Sequence, residues 1–187
     1  MAHYFIGIHL PEELQHIYTD WQQQLKLKLP YKKWTHPGDL HITLKFLGEV
    51  DEEKFALLQE KLSGIVMPEP IEIELESLGF FGNGARPRVL MVDVTPNEKL
   101  VNLQKQVEEA TIQTGFSKEN RAYRPHMTLA KKWASDSDLG DEVITELQHV
   151  FTNKKQFTLS KISLFQIHPK QLPSYEVVAV YPLHKKG

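Results

Sequence analysis

His41-Ile42-Thr43-Leu44-Lys45-Phe46-Leu47-Gly48-Glu49 opens on a pattern that the chain repeats at His126-Met127-Thr128-Leu129: a His, an apolar residue, a Thr and a Leu, about half a chain length apart. Side chains along a β-strand point to opposite faces in turn, so in each copy His and Thr share one face and the apolar residues the other. A lone His on a strand is more often structural than catalytic. Two copies of the whole pattern in 187 residues are a different matter, since each sets an imidazole beside a hydroxyl. Facing each other across a cleft, the pairs would offer an acid, a base and two hydrogen-bond donors around one anionic group. Phosphodiester hydrolysis without a metal needs that set.

Outward from the two strands, strand and helix signals alternate. Residues 4–9 are apolar and β-prone. Pro11 suits a helix start, and Leu14, Ile17, Tyr18, Trp21 and Leu25 keep helical spacing toward Pro30. A short strand is expected at Lys33-Trp34-Thr35, and the first motif strand spans residues 40–47, closed by Gly48. Asp51 reads as an N-cap with Glu52 and Glu53 in the first turn. Ile71-Glu72-Ile73-Glu74-Leu75 alternates as a strand whose acidic face is wet rather than metal-binding. Residues 79–84 read as a glycine-rich turn, with a return strand over 88–94. Thr95-Pro96-Asn97-Glu98 has the form of a capping box opening a helix toward Thr114, closed by Gly115. After the second motif strand, residues 126–131, come a polar loop, a helix over 142–150 and closing strands over 157–167 and 175–182. The tail Lys185-Lys186 is expected to fray.

This order is nearly the same sequence of elements taken twice, with no Pro/Ser-rich linker between the halves. It predicts an α+β fold in which residues 1–187 form a single domain of two intertwined lobes. Composition narrows the partners. A net charge of −2 gives no basic field for long duplex nucleic acid, while a small anion or a strand end stays compatible. With no cysteine, disulfides, thiolate catalysis and Cys-based zinc sites are excluded. The opening residues lack a signal-peptide layout, and no run approaches the ~18 apolar residues of a membrane span. A cytoplasmic, monomeric protein with no membrane partner is the simplest expectation.

Other chemistries fit less well. Neither motif carries a second His or carboxylate at usual metal-ligand spacing, so no metal is expected. No Gly-x-Ser-x-Gly elbow and no nucleotide-binding glycine fingerprint is present, so no serine triad and no cofactor is expected either. His16, His149 and His184 sit in polar or terminal contexts and read as surface residues, while His3, His9 and His168 flank strands. Two imidazoles of ordinary pKa near ~6.5 can be one neutral and one protonated at neutral pH. Arg124 and Lys131 are the candidate cations for non-bridging phosphate oxygens. Arg124 has the parity of His126, whereas Lys131 has the opposite one and needs a twist or bulge to join the site.

His41-Ile42-Thr43-Leu44-Lys45-Phe46-Leu47-Gly48-Glu49 and Arg124-Pro125-His126-Met127-Thr128-Leu129 closely resemble the paired signatures of the two-histidine (2H) phosphoesterase superfamily. The likeness is greatest to its LigT-like branch, the RNA 2′,3′-cyclic phosphodiesterases also called 2′-5′ RNA ligases. The opening Tyr4-Phe5-Ile6-Gly7-Ile8-His9-Leu10-Pro11 and the closing Ser163-Leu164-Phe165, Tyr175 and Tyr181-Pro182-Leu183 extend it over nearly the whole chain. The resemblance implies two lobes related by a pseudo-twofold, antiparallel sheets facing a central groove with helices outside. It also implies a metal-free, cofactor-free hydrolysis of RNA 3′ ends bearing a 2′,3′-cyclic phosphate to a 2′-phosphate. Carried over, His41 would protonate the leaving O3′ and His126 would activate water, two roles that pseudo-symmetry makes hard to tell apart. Thr43 and Thr128 would bind phosphate oxygens, and Lys131 stands where the branch often has Arg, a point charge in place of a bidentate fork. Phe46 matches a position that can meet the terminal base, although strand parity sends it to the core. Two alternatives stay open: a phosphodiesterase for small cyclic phosphates, such as a cyclic nucleotide or an ADP-ribose cyclic phosphate, and a non-catalytic binder of RNA ends. Ligation is not expected as the main role.

Overall fold

The computed structural model describes residues 2–184, so the Lys185-Lys186 tail lies outside the described residues. Nine strands and four α-helices follow one another as β1 (His3–His9), α1 (Glu12–Lys26), β2 (Tyr31–Trp34), β3 (His41–Glu49), α2 (Glu52–Ser63), β4 (Ile71–Phe81), β5 (Val89–Val94), α3 (Glu98–Gln113), β6 (His126–Trp133), α4 (Asp141–Val150), β7 (Thr152–Leu159), β8 (Lys161–Ile167) and β9 (Tyr175–Pro182). The strands make one open antiparallel sheet in the order β7-β4-β5-β6-β3-β1-β8-β9, with β2 paired to β6. The fold is thus mixed α and β, with an antiparallel sheet as expected.

Along that order four strands lie on each side of the β3/β6 junction, with β2 the ninth, and the motif strands are the two that meet there. They share a single bridge, Ile42 to Met127. Each half also borrows from the other in sequence: β8 and β9 return to pair beside β1 after β7 has paired with β4. The expected strand over 157–167 is therefore two strands, broken at Ser160, whose carbonyl accepts from Leu183 N. The break is where the chain leaves one half of the sheet for the other.

Helices cover one face of the sheet. Tyr18 and Leu25 of α1, Leu58 and Leu62 of α2, and Leu100, Leu103 and Val107 of α3 are fully buried against Ile6, Ile71, Ile73 and Leu75, in one hydrophobic cluster. Each such side chain withdrawn from water contributes about 1.5–3 kcal/mol before the cost of ordering the chain. Asp51 caps α2 as expected, accepting from Lys54 N at 2.8 Å. The cap of α3 is Asn97, which accepts from Leu100 N at 2.7 Å, two residues later than the Thr95 capping box predicts. Thr95 instead turns its hydroxyl to Glu74 and Glu76.

The acidic positions of β4 form a polar ladder with β7, Glu72 to Thr158 and Glu74 to Gln156, and no cluster suited to a metal ion occurs among the described residues. Gly79, Phe80 and Phe81, expected in a turn, continue β4. There Gly79 leaves room for the Asp93 carboxylate of β5, which a Cβ would meet at 2.7 Å and displace. His184 is half-buried rather than free at the surface, with Nδ1 2.9 Å from Met67 O. Among the described residues no helix is long and apolar enough to cross a membrane.

Candidate active site

A groove of about 540 Å³ lies over the β3/β6 junction, and His41, Thr43, His126 and Thr128 all line it. The two motifs are built alike to a depth the tetrapeptide does not reveal. Burial along β3 begins half-buried, buried, half-buried, buried, buried, exposed, and β6 begins with the same six. A repeated β-bulge explains the match. Opposite β3, Gly7 faces Thr43 and Ile6 faces Lys45, leaving Leu44 without a partner. Opposite β6, Met91 faces Thr128 and Leu90 faces Ala130, leaving Leu129 without one. An extra residue inverts strand parity beyond it.

That inversion decides two candidates. Lys131 and Phe46 hold the same place in their motifs, five residues after the histidine, and both line the groove. Simple parity sends Phe46 to the core, which the structure corrects: it is 60% exposed, because the Leu44 bulge turns it over. Lys131 reaches the groove by the bulge its parity called for. Its ammonium group is depressed below the usual lysine value, first by partial burial and then by Lys33 and Lys132. Arg124 lines the groove from just ahead of β6 and is held by Asp93 at 3.1 Å.

Each bulge is fastened from the opposite half of the sequence. The Leu129 carbonyl accepts from Thr35 N at 2.9 Å and from the buried Gln22 amide at 3.0 Å. Next to the other bulge, the Thr43 carbonyl accepts from the Tyr123 hydroxyl at 2.9 Å. Burial keeps that hydroxyl protonated far above neutrality.

The imidazoles are oriented by one device used twice. His41 Nδ1 lies 2.7 Å from Asp39 O, and His126 Nδ1 lies 2.8 Å from Arg124 O, in each case the carbonyl two residues back. A carbonyl only accepts, so Nδ1 carries the proton in both rings and Nε2 is the nitrogen presented to a ligand. Thr43 Oγ1 sits 2.9 Å from His41 Nε2.

Around this shared frame the two sites differ. The His41 ring packs on Phe5 at 4.6 Å and edge-on to Tyr175 at 5.2 Å. Gly7 lets β1 run close to β3 beneath the ring, since a Cβ there would lie 2.8 Å from the Ile42 carbonyl. Asp39, buried, anchors the β8–β9 connection by accepting from Ser174 N at 2.8 Å and Tyr175 N at 3.1 Å. Burial lowers the His41 pKa to about 4, opposed by its bond to Asp39 and aided by the charge of Lys131. Asp39, Phe5, Gly7 and Gln22 were not flagged as site residues from sequence. Their parts are steric or pass through backbone carbonyls, which any residue type supplies, and Gln22 carries no local signal at all.

Known proteins show what the chain is similar to. The model of the 2′-5′ RNA ligase superfamily matches residues 10–171. A Bacillus subtilis (strain 168) protein named RNA 2′,3′-cyclic phosphodiesterase is 37% identical over 183 residues, covering 97% of this chain and 96% of its own length. A Geobacillus stearothermophilus protein of the same name is 32% identical over 97% of this chain, which spans 57% of that longer relative. Among solved structures, E. coli LigT complexed with 3′-AMP superposes with a TM-score of 0.75 at 21% identity, covering 98% of this chain and 99% of that one.

Proposed function

The chain belongs to the 2′-5′ RNA ligase superfamily, and on that premise we propose that it is a hydrolase that opens RNA 2′,3′-cyclic phosphate ends to 2′-phosphates. The observation that carries this reading is the pair of His–Thr sets on one groove, each imidazole held through Nδ1 by the carbonyl two residues back. Two nitrogens so fixed suit a reaction in which one proton is taken and another given. His126, whose Nδ1 bond lies at the exposed side, takes a proton from the attacking water. The hydroxide oxygen forms the new P–O bond while the P–O3′ bond breaks, and His41 gives its Nε2 proton to O3′. The hydroxyls of Thr43 and Thr128 and the ammonium of Lys131 hold the non-bridging oxygens as charge gathers on them. Arg124 supports the same oxygens, and Phe46 offers its exposed face to the terminal base.

His41 suits the donor role in one respect and needs help in another. Packed against Phe5 and Tyr175, it keeps bulk water from its ring. With a pKa of about 4, however, it carries no Nε2 proton at pH 7 until an opposite charge arrives. The phosphate anion, within hydrogen-bond reach of Nε2, supplies that charge and favours the imidazolium.

The test is an assay on a short RNA ending in a 2′,3′-cyclic phosphate, run in excess EDTA, with the product phosphate mapped. A 2′-phosphate formed at an undiminished rate is expected. Loss of activity on chelation, restored by a divalent ion, would overturn the metal-free mechanism, and a 3′-phosphate would reverse the leaving group.

A further inference from the structure

The bulge at Leu129 sets up a row of side chains that runs beyond the reacting centre. Phe81 of β4, Val89 of β5, Lys131 of β6 and Lys33 of β2 are successive register partners across four strands. Phe81, Val89 and Lys131 line the groove, as does Thr35, which lies two residues after Lys33 and so on its face. Lys33 therefore carries the groove's cationic wall outward onto β2. Directly opposed side chains of an antiparallel pair hold their Cβ atoms about 4.5–5.5 Å apart, where like charges repel. The molecule accepts this cost without a compensating carboxylate: among the described residues, Lys33, Lys131 and Lys132 have no ion-pair partner, whereas Lys45, Arg86 and Arg124 each do.

The other end of the groove is of different character. There the row through Phe46 continues to Phe5 and Phe165. Because β3 and β6 are antiparallel, Phe46 and Lys131 point the groove in opposite directions from the two histidines. The groove thus runs from the exposed Phe46, with Arg124 on its side, through the His–Thr centre to Lys131 and, by register, Lys33. A lone cyclic mononucleotide has one anionic group, which the centre takes. It has nothing to offer Lys33.

Resting on the hydrolase reading above, we propose that Lys33, beside Lys131, binds the phosphodiester backbone on the 5′ side of the cyclic end. The substrate is then an oligonucleotide laid along the row, its terminal base toward Phe46 and its preceding phosphates toward β2. Phe81, 40% exposed beside the row, presents a stacking face to the penultimate base. Lys33 binds substrate and takes no part in the proton transfers.

The experiment compares kcat/KM on a mononucleoside 2′,3′-cyclic phosphate with that on a tetranucleotide ending in the same group. It uses the full chain, Lys33→Ala and Lys33→Glu, at several salt concentrations. The tetranucleotide is expected to be preferred by the parent. Lys33→Ala lowers its kcat/KM about threefold to tenfold and flattens the log–log salt slope by about 0.7, one phosphate contact on a single strand. Lys33→Glu, which sets a carboxylate opposite Lys131, lowers it further, and turnover of the mononucleotide stays within twofold in Lys33→Ala. Equal losses on both substrates in Lys33→Ala would overturn the proposal by making Lys33 act through the centre, and no loss on either would make it a solvated lysine. A parent inactive on both substrates would instead remove the hydrolase reading itself, a result distinct from either.

Discussion

The two motif strands share a backbone and differ in what surrounds it. Both place a bulge after the Thr–Leu step, both tie His Nδ1 to the carbonyl two residues back, and both bury the same positions. Yet His41 is enclosed by Phe5 and Tyr175, contacts Thr43 through Nε2, and rests on a loop that Asp39 pins to the β8–β9 connection. His126 is held by the Arg124 carbonyl and lies opposite Asp93 in the sheet, with the Arg124–Asp93 pair beside it. The repeat preserves what aims the imidazoles, and the neighbouring side chains differ. Both rings are half-buried, but one half is closed over by aromatic rings and its imidazole is lowered in proton affinity, whereas the other stands beside an ion pair.

The comparison breaks most visibly if only one half does chemistry. His41→Ala and His126→Ala are each expected to lower kcat about 10²–10⁴-fold with the fold retained, as read by steady-state kinetics and circular dichroism. Parental turnover in either variant would reduce that half to a scaffold. The bulges predict a smaller, unequal effect at the equivalent positions. Lys131→Met should lower kcat/KM about 10–100-fold, the worth of a charged hydrogen bond to phosphate. Phe46→Ala should cost only about threefold to tenfold, mainly in KM. Equal losses would mean that the two ends of the groove do not divide charge from stacking.

These bulges also mark where reading the sequence stops. The repeated His-x-Thr-Leu, the helix starts at Asp51 and near Pro11, and the strand over 175–182 are local patterns, and each stands as read. Parity is local too, but its inversion is not. It depends on Gly7 and Met91 facing Thr43 and Thr128, and on Gln22 reaching a carbonyl 107 residues away. No spacing rule places a bulge, so Phe46 reads as core and Lys131 as displaced. Gly79 likewise reads as a turn because the Asp93 carboxylate that packs over it comes from another strand. The break at Ser160 has no glycine or proline to signal it.

Gln22→Leu sharpens this point with a smaller effect. It removes one of two donors to the Leu129 carbonyl and is expected to cost about 1–3 kcal/mol in urea unfolding. It should also reduce kcat/KM through Lys131, and Lys131→Met in the Gln22→Leu background should then lose less than it does alone. Additive losses would separate Gln22 from the placement of Lys131.

Proton affinity is the most direct probe of the closed half. Because His41 is lowered to about 4 from an unfolded value near ~6.5, both states are neutral above that window. Between ~6.5 and about 4 the unfolded chain binds a proton that the folded chain refuses, so stability falls as pH falls, and His41→Gln should remove that part of the slope. The measurement to make first is an NMR titration of the imidazole Cε1–H signals, alone and with a short RNA carrying a 2′-phosphate end. The His41 signal is expected to titrate near pH 4 alone and to move upward by about one unit or more with the phosphate bound. A His41 that titrates near 6.5 without ligand, or does not move when the phosphate binds, would contradict the claim that the substrate's own charge arms the proton donor.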